Sequence, residues 1–342
     1  MIHSNMKIKT KIMLKRIVAT TMILSISMSN FFNIANAAIS TNLPVSEIRY
    51  NAENNALAFP ESYRPYINSL KTAHPNWTFK AVYTNLDWTD SIRHESYDVK
   101  FNVSLVPSSY SSNWKKDGTN YFADGSFVIA SKKAVAYTMD PRNYINETGI
   151  FQFEALDFHE ETSKVATIEK VLAGTPMADY PNQYKKAGSM VDLENSLNWS
   201  QLIINSAKNV GENGIGAVFL ASRMRQETSL DLLGNGSING SHSTYPGVYN
   251  FLNIKAIPNP DGSGSVTNGL AYASSKEWTT PQKSIEGGAY ELWSNYIRWG
   301  QNTMYFQKFD VNNPPIDPLK PELGGIASGL YMFQYMTNIL AP

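Results

Sequence analysis

Two consecutive runs of helical periodicity constrain the fold more than any other feature of this chain. In residues 199–210, apolar side chains recur on one side of a helix, and the run stops at the glycine-containing stretch 211–214. Residues 215–230 repeat the pattern. Stripes of this kind are buried against neighbouring helices. Because residues 77–83 alternate in the manner of a strand, the sequence predicts an α+β fold that is predominantly α.

The amino-terminal residues predict export. Residues 1–16 contain basic side chains and no acidic ones, residues 17–34 are mostly apolar, and Ala35-Asn36-Ala37 follows. This order is typical of a secretory signal peptide, here cleaved after Ala37. An uncleaved membrane anchor is the alternative, but the apolar stretch is diluted by several Ser, Thr and Asn residues. Residues 38–57 are predicted to form a flexible leader.

Composition narrows the setting and the partners. The chain has no cysteine, which suits a bacterial protein exported without disulfides. Without the predicted signal peptide the balance of charges is acidic, which argues against nucleic-acid binding. The five histidines are scattered and no phosphate-binding loop is present, so no metal site and no cofactor are predicted. We expect a secreted, wall-associated monomer with no stable membrane insertion after cleavage.

Glu227 is the carboxylate whose position indicates chemistry. It shares a helical face with Leu220 and Met224, because Met224 lies four residues after Leu220 and Glu227 three residues after Met224. A carboxylate that continues an apolar stripe lies against the core or a cleft wall, and such desolvation favours the protonated form that a general acid requires. Arg223 and Arg225 act in the opposite direction. An ordinary carboxylate paired with an arginine is therefore the alternative.

Several blocks of sequence carry a family resemblance. They are residues 221–228 (ASRMRQET), 234–236 (GNG), 249–256 (YNFLNIKA), 270–273 (LAYA), 285–289 (IEGGA), 295–297 (NYI) and 300–305 (GQNTMY). In this order they resemble glycoside hydrolase family 73, the glucosaminidases of bacterial autolysins. The resemblance implies a lysozyme-like fold and an endo-β-N-acetylglucosaminidase acting on the glycan strands of peptidoglycan. The bond cleaved would be the β-1,4 bond on the reducing side of N-acetylglucosamine.

The resemblance also assigns residues. The family's helix-borne catalytic glutamate falls on Glu227, and its essential tyrosine falls on Tyr296. The strip Tyr249-Asn250-Phe251 resembles the floor of the cleft, where Tyr249 would stack on a sugar ring and Asn250 would bond its substituents. A role in the core is the alternative for this strip. Gln301-Asn302 are predicted to contact substrate.

The second catalytic group is open at the level of sequence. Glycoside hydrolysis usually needs two carboxylates. We place substrate assistance by the 2-acetamido group first, Asp261 second and Asp231 third. The histidine that the family usually carries before Gln-Tyr is replaced here by Phe333.

The predicted domains are a signal peptide (1–37), the leader (38–57), an amino-terminal α+β lobe of unknown role (58–192) and a glucosaminidase catalytic domain (193–342). No repeats or Pro/Ser-rich linker precede residue 193, which favours a lobe packed on the catalytic domain over an independent wall-binding module. Two functional alternatives remain: a muramidase or lytic transglycosylase on the same fold, and a non-catalytic wall-binding protein.

Overall fold

The computed structural model describes the chain in segments that form two compact units. The segments are residues 50–51, 56–84, 86–96, 104–116, 127–186, 188–228, 236–257, 259, 263–309, 311 and 338–340. The central unit is Ala155–Arg298. The amino-terminal unit consists of the described residues of Asn30–Glu154 and of Trp299–Pro342. Short 3-10 helices occur at Ala56–Ala58, Glu61–Tyr63, Ser112–Trp114, Pro141–Asn143, Gly149–Phe153, Glu194–Ser196, Ile297–Trp299 and Phe306–Lys308.

The amino-terminal unit contains three helices and two short strand pairs among its described residues. The helices are α1 (Arg64–Ala73), α2 (Trp88–Glu95) and α3 (Lys132–Met139). Strands β1 (Tyr50–Asn51) and β2 (Ala81–Val82) pair antiparallel, as do β3 (Leu105–Pro107) and β4 (Phe127–Ile129). Helix α3 begins where it does because the Ser131 hydroxyl accepts a hydrogen bond from the backbone N–H of Ala134 at 3.2 Å.

Residues that are far apart in the sequence are hydrogen-bonded and packed together in this unit. The backbone N–H of Ile339 donates to the carbonyl of Leu105 at 3.0 Å. The Tyr305 hydroxyl donates to the carbonyl of Met139. Buried side chains from before residue 155 and from after residue 298 form one apolar cluster: Val106, Val128, Ala130, Ala134, Val135, Met139, Tyr305, Phe306, Phe309, Val311 and Ile339. The core of the amino-terminal unit therefore needs residues that precede the central unit in the sequence and residues that follow it.

Lys308 is an unusual member of this interior. Its side chain is 3% exposed, its Nζ donates to Gln152 Oε1 at 3.0 Å, and the ammonium lies 5.7 Å from the ring centroid of Tyr144. Burial lowers the pKa of Lys308 to about 8. Burial also raises the pKa of the Tyr144 phenol to about 12.

Replacing Lys308 by methionine is expected to change how the free energy of unfolding depends on pH. A lysine with pKa 10.5 in solvent and about 8 in the fold binds its proton more tightly when unfolded. Wild-type stability therefore rises with pH between these values. K308M lacks this pH dependence, so the free energy of unfolding of wild type should rise relative to that of K308M by about 2 kcal/mol from pH 8 to pH 10.

Denaturant unfolding at several pH values measures this difference, and K133M, at an exposed lysine of α3, is the control. Parallel pH curves for K308M and wild type would show that burial of Lys308 has no energetic consequence.

The central unit is helical, with helices α4 (Val165–Leu172), α5 (Pro176–Asp179), α6 (Trp199–Lys208), α7 (Ala217–Thr228), α8 (Ser265–Ser275) and α9 (Pro281–Asn295). Helix α6 begins with a capping box: Asn198 Oδ1 accepts from the Gln201 N–H at 2.8 Å, and Gln201 Oε1 accepts from the Asn198 N–H at 3.2 Å. Helix α7 packs against α4 and α6, and α6 packs against α9. Together these helices bury one large apolar cluster that contains Ile203, Leu220 and Met224.

A hairpin precedes α6 and is joined to it through Trp199. Strands β5 (Gln183–Lys186) and β6 (Ser189–Asp192) pair antiparallel. The buried indole N–H of Trp199 lies 3.0 Å from the carbonyl of Tyr180 and 3.1 Å from that of Gln183. The Trp199 ring lies 5.3 Å from that of Phe251. The hairpin is therefore part of the central unit.

The structure confirms the predicted class, α+β and predominantly α. It divides differently from the predicted domains, because the central unit begins at Ala155 and includes helices α4 and α5, which the sequence placed in the lobe. Of the predicted strand 77–83, only Ala81–Val82 is a strand. Within the described residues, no helix combines the length and apolar character needed to cross a bilayer.

Candidate functional site

Glu227 lies in the last turn of α7 and is held by an arginine one turn earlier. Arg223 Nη2 donates to Glu227 Oε1 at 2.8 Å, and the two side chains are 6% and 15% exposed. Arg223 Nη1 also donates to Gln226 Oε1 at 2.7 Å. Arg225 is directed elsewhere, to the carbonyl of Val171 at 2.6 Å. Of the two arginines considered from the sequence, Arg223 is thus the one that pairs with Glu227.

Tyr296 immediately follows α9 and is close to the same arginine. Its side chain is 4% exposed. Burial raises the pKa of the Tyr296 phenol, and the positive charge of Arg223 opposes that shift. Arg223 therefore acts electrostatically on both Glu227 and Tyr296.

The residues that follow the predicted cleft floor, 252–256, are attached to the end of α7. Asn253 Nδ2 donates to the backbone carbonyl of Glu227 at 2.8 Å. Asn253 and Lys255 have φ angles of 47° and 58°, a left-handed conformation that is uncommon for residues other than glycine. The backbone therefore turns sharply twice in the segment that is bonded to the end of α7. Strained backbone of this type is often found at functional sites.

Tyr249, Asn250 and Phe251 lie in the core of the central unit, almost without exposure. The Tyr249 hydroxyl donates to the carbonyl of Lys185 at 3.1 Å. Asn250 Nδ2 donates to the carbonyls of Ile254 and Gly269, and its Oδ1 accepts from the N–H of Ile254. These positions correct the expectation that Tyr249 stacks on a sugar and that Asn250 bonds its substituents. A role in the core was the alternative for Tyr249-Asn250-Phe251, and the structure shows this role. The polar side-chain atoms of Tyr249 and Asn250 bond the protein backbone.

Gln301 and Asn302 belong to the amino-terminal unit. Gln301 is fully buried, and its Nε2 donates to the carbonyl of Phe306 at 2.9 Å. Its backbone carbonyl accepts from Gln307 Nε2 at 2.9 Å. Gln301 thus braces a turn and is not available as a substrate ligand. Asn302 is half-buried, and its predicted contact with substrate stays a prediction.

A buried carboxylate close in sequence to Tyr296 was missed in the sequence analysis. Glu291, on α9, accepts a hydrogen bond from the Tyr272 hydroxyl through Oε1 and one from Asn295 Nδ2 at 3.2 Å through Oε2. Its charge also acts on Lys255. Helical spacing places Glu291 on the same side of α9 as Ser284 and Gly288, and the structure shows that both are buried.

Other predicted residues lie outside the described segments. They are Asp231, Asp261, Phe333, the predicted signal peptide with its cleavage point at Ala37, and most of the leader. Within the described segments, no three His, Asp or Glu side chains are grouped as metal ligands would be.

By class, the chain is a predominantly helical α+β protein whose central unit carries a helix-borne carboxylate paired with a buried arginine and adjoined by a buried phenol. In sequence it is similar to bifunctional autolysins of Staphylococcus aureus. Identity is 23% over 192 residues, which are 56% of this chain and 14% of the relative. The chain thus matches only a small part of these relatives' length. The similarity to bacterial autolysins that the motif blocks predicted is confirmed. No protein-family model matches the chain.

Two solved structures are also similar to this chain, at low sequence identity. Glucosaminidase B of S. aureus aligns with 20% identity and a TM-score of 0.47, covering 75% of this chain and 79% of that chain. The major bifunctional autolysin aligns with 21% identity and a TM-score of 0.43, covering 75% and 83%.

Proposed function

We propose that this chain is a peptidoglycan hydrolase, an endo-β-N-acetylglucosaminidase that cleaves the β-1,4 bond between N-acetylglucosamine and N-acetylmuramic acid. The observation that carries the proposal is Glu227. It is a partly exposed carboxylate at the end of a core helix, fixed by Arg223 at 2.8 Å, in a block of sequence that resembles the catalytic helix of autolysin glucosaminidases. The similarity to bifunctional autolysins supports the substrate class.

In this mechanism Glu227 is the general acid. It gives its proton to the glycosidic oxygen as the bond to the anomeric carbon breaks, and the leaving sugar departs as an alcohol. Arg223 keeps the side chain in one rotamer, so that the acid is placed before substrate arrives. Tyr296 contributes from within the wall of the site, through the same guanidinium.

For the second group we keep substrate assistance first. The 2-acetamido oxygen of the sugar would attack the anomeric carbon, and water would then open the cyclic intermediate. Asp261 and Asp231 are the protein-borne alternatives, as base or nucleophile. The central unit would supply the catalytic site and the amino-terminal unit would be a lobe. The chain would act as a secreted, wall-associated monomer on glycan strands.

Product analysis tests the proposal. Purified peptidoglycan is digested with the chain, and the fragments are reduced with borohydride and analysed by mass spectrometry. We expect reduced N-acetylglucosamine at the new ends, and none from an E227Q digest run in parallel. Reduced muramic acid ends would identify a muramidase, and anhydro ends a lytic transglycosylase. Binding of glycan without release of fragments by folded wild type would favour a wall-binding protein.

A further inference from the structure

Glu227 is held by two parts of the chain, one inside α7 and one outside it. Inside the helix, Arg223 fixes the carboxylate at 2.8 Å. The backbone of Glu227 is held separately, because its carbonyl accepts a hydrogen bond at 2.8 Å from Nδ2 of Asn253, which lies 26 residues later in the chain. Helix α7 ends at Thr228, and the last four carbonyls of a helix have no partner within the helix itself. Asn253 supplies a donor for one of these carbonyls.

Asn253 is itself held by the core of the central unit. It lies between Leu252 and Ile254, which are both buried. Its backbone N–H donates to the carbonyl of Asn250 at 3.2 Å. The buried side chain of Asn250 accepts from the N–H of Ile254 at 2.9 Å and donates to the carbonyls of Ile254 and Gly269. Buried contacts therefore fix the turn from which the Asn253 amide reaches α7.

Asparagine meets two requirements at position 253. The backbone has a φ angle of 47°, which side chains rarely adopt, although asparagine is enriched several-fold in this region. The contact with α7 also requires an N–H donor at the end of a side chain of this length. Glycine would meet only the first requirement. Aspartate would keep the length but would present an oxygen to the carbonyl oxygen of Glu227.

We infer that Asn253 is a positioning residue for the proposed hydrolase site: its amide holds the last turn of α7, and with it the general acid Glu227, in one place relative to the core. The inference deepens the proposed function and rests on it for its kinetic consequences. A carboxylate fixed by Arg223 alone would still move with its helix end, since helix ends fray. Proton transfer tolerates little displacement of the acid. Loss of the Asn253 amide should therefore slow the chemical step without weakening the binding of glycan.

Three variants separate the amide from the backbone that carries it. N253G removes the amide and leaves a residue that adopts a positive φ without strain. N253D keeps the shape of the side chain but has no N–H to donate. E277G is the matched control. Glu277 is exposed, lies between α8 and α9 and has a φ angle of 58°, so E277G makes the same backbone change elsewhere in the central unit.

The first experiment measures hydrogen exchange of the backbone amides of residues 225–228, the last turn of α7, by mass spectrometry. We expect exchange to be faster by about 3- to 10-fold in N253G and N253D, the effect of losing one hydrogen bond. Helix α6 should exchange as in wild type, and E277G should show no change in either helix. Wild-type exchange of residues 225–228 in both Asn253 variants would overturn the inference.

The second experiment compares two soluble substrates that differ in their need for an acid. Cleavage within a glycan strand releases a sugar alcohol, which needs the proton of Glu227. A short strand that ends in the 2,4-dinitrophenyl glycoside of N-acetylglucosamine releases a phenolate, which needs no proton. We expect N253G to lower kcat on glycan by about 10- to 100-fold with little change in KM, and to leave kcat/KM for the dinitrophenyl substrate nearly unchanged. E277G should match wild type on both.

The two substrates distinguish positioning of the acid from general damage. A loss confined to glycan supports positioning. An equal loss on both substrates would overturn it, because poor folding or a distorted cleft affects both alike. If folded wild type cleaves neither substrate, the proposed function fails, and with it the positioning of an acid. The exchange measurement needs no turnover, so it still decides whether Asn253 holds the end of α7.

Discussion

Replacing Glu227 by glutamine is expected to lower kcat/KM for glycan cleavage by about 10²- to 10⁴-fold, the usual contribution of a positioned general acid. The amide has the shape of the carboxylate and keeps an oxygen that can accept the hydrogen bond from Arg223. It has no proton to give to the glycosidic oxygen. The expected loss is therefore chemical and leaves the fold in place.

Release of reducing ends measures the rate, and circular dichroism checks the fold. E212Q is the matched control, since Glu212 is an exposed carboxylate of the same unit, and it should retain wild-type activity. Activity of E227Q within tenfold of wild type would remove Glu227 from the role of general acid and return it to an ordinary ion-paired residue.

Truncating Trp199 to alanine is expected to lower the free energy of unfolding by about 3 to 5 kcal/mol, the range for removing a fully buried aromatic side chain. The cavity would open against Phe251, whose ring lies 5.3 Å away. The carbonyls of Tyr180 and Gln183 would also lose the indole N–H that lies between them. Unsatisfied buried acceptors add to the loss.

Denaturant titration gives the difference in free energy, and W199F separates its two parts. Phenylalanine retains most of the packing but donates no hydrogen bond, so W199F should be destabilised by less than W199A. A stability of W199A within about 1 kcal/mol of wild type would mean that the hairpin and α6 are joined by other contacts.

The sequence predicted the helices near the site well, because their apolar stripes are regular and their ends are marked. Helix α7 was predicted over 215–230 and spans Ala217–Thr228, and α6 was predicted over 199–210 and spans Trp199–Lys208. Asn198 and Gln201 form the capping box that begins α6, so local chemistry alone fixes this boundary.

The domain boundary and the role of the strip were not predictable in the same way, since both depend on contacts between distant residues. Nothing local shows that Trp199 bonds carbonyls before residue 193. Likewise, the aromatic strip at Tyr249 fits a sugar cleft and a core equally well by composition. Only its hydrogen bond to Lys185 and its burial distinguish the two.

The pairing of Leu105 with residues near position 339 has a consequence for the order of folding. The described residues of the central unit lie in one continuous stretch, Ala155–Arg298, so this unit can fold without any later segment. The apolar cluster of the amino-terminal unit is completed later, because it also needs Tyr305 to Ile339, which follow the central unit in the sequence. We therefore expect its early half to be the part of the nascent chain most exposed to chaperones and proteases.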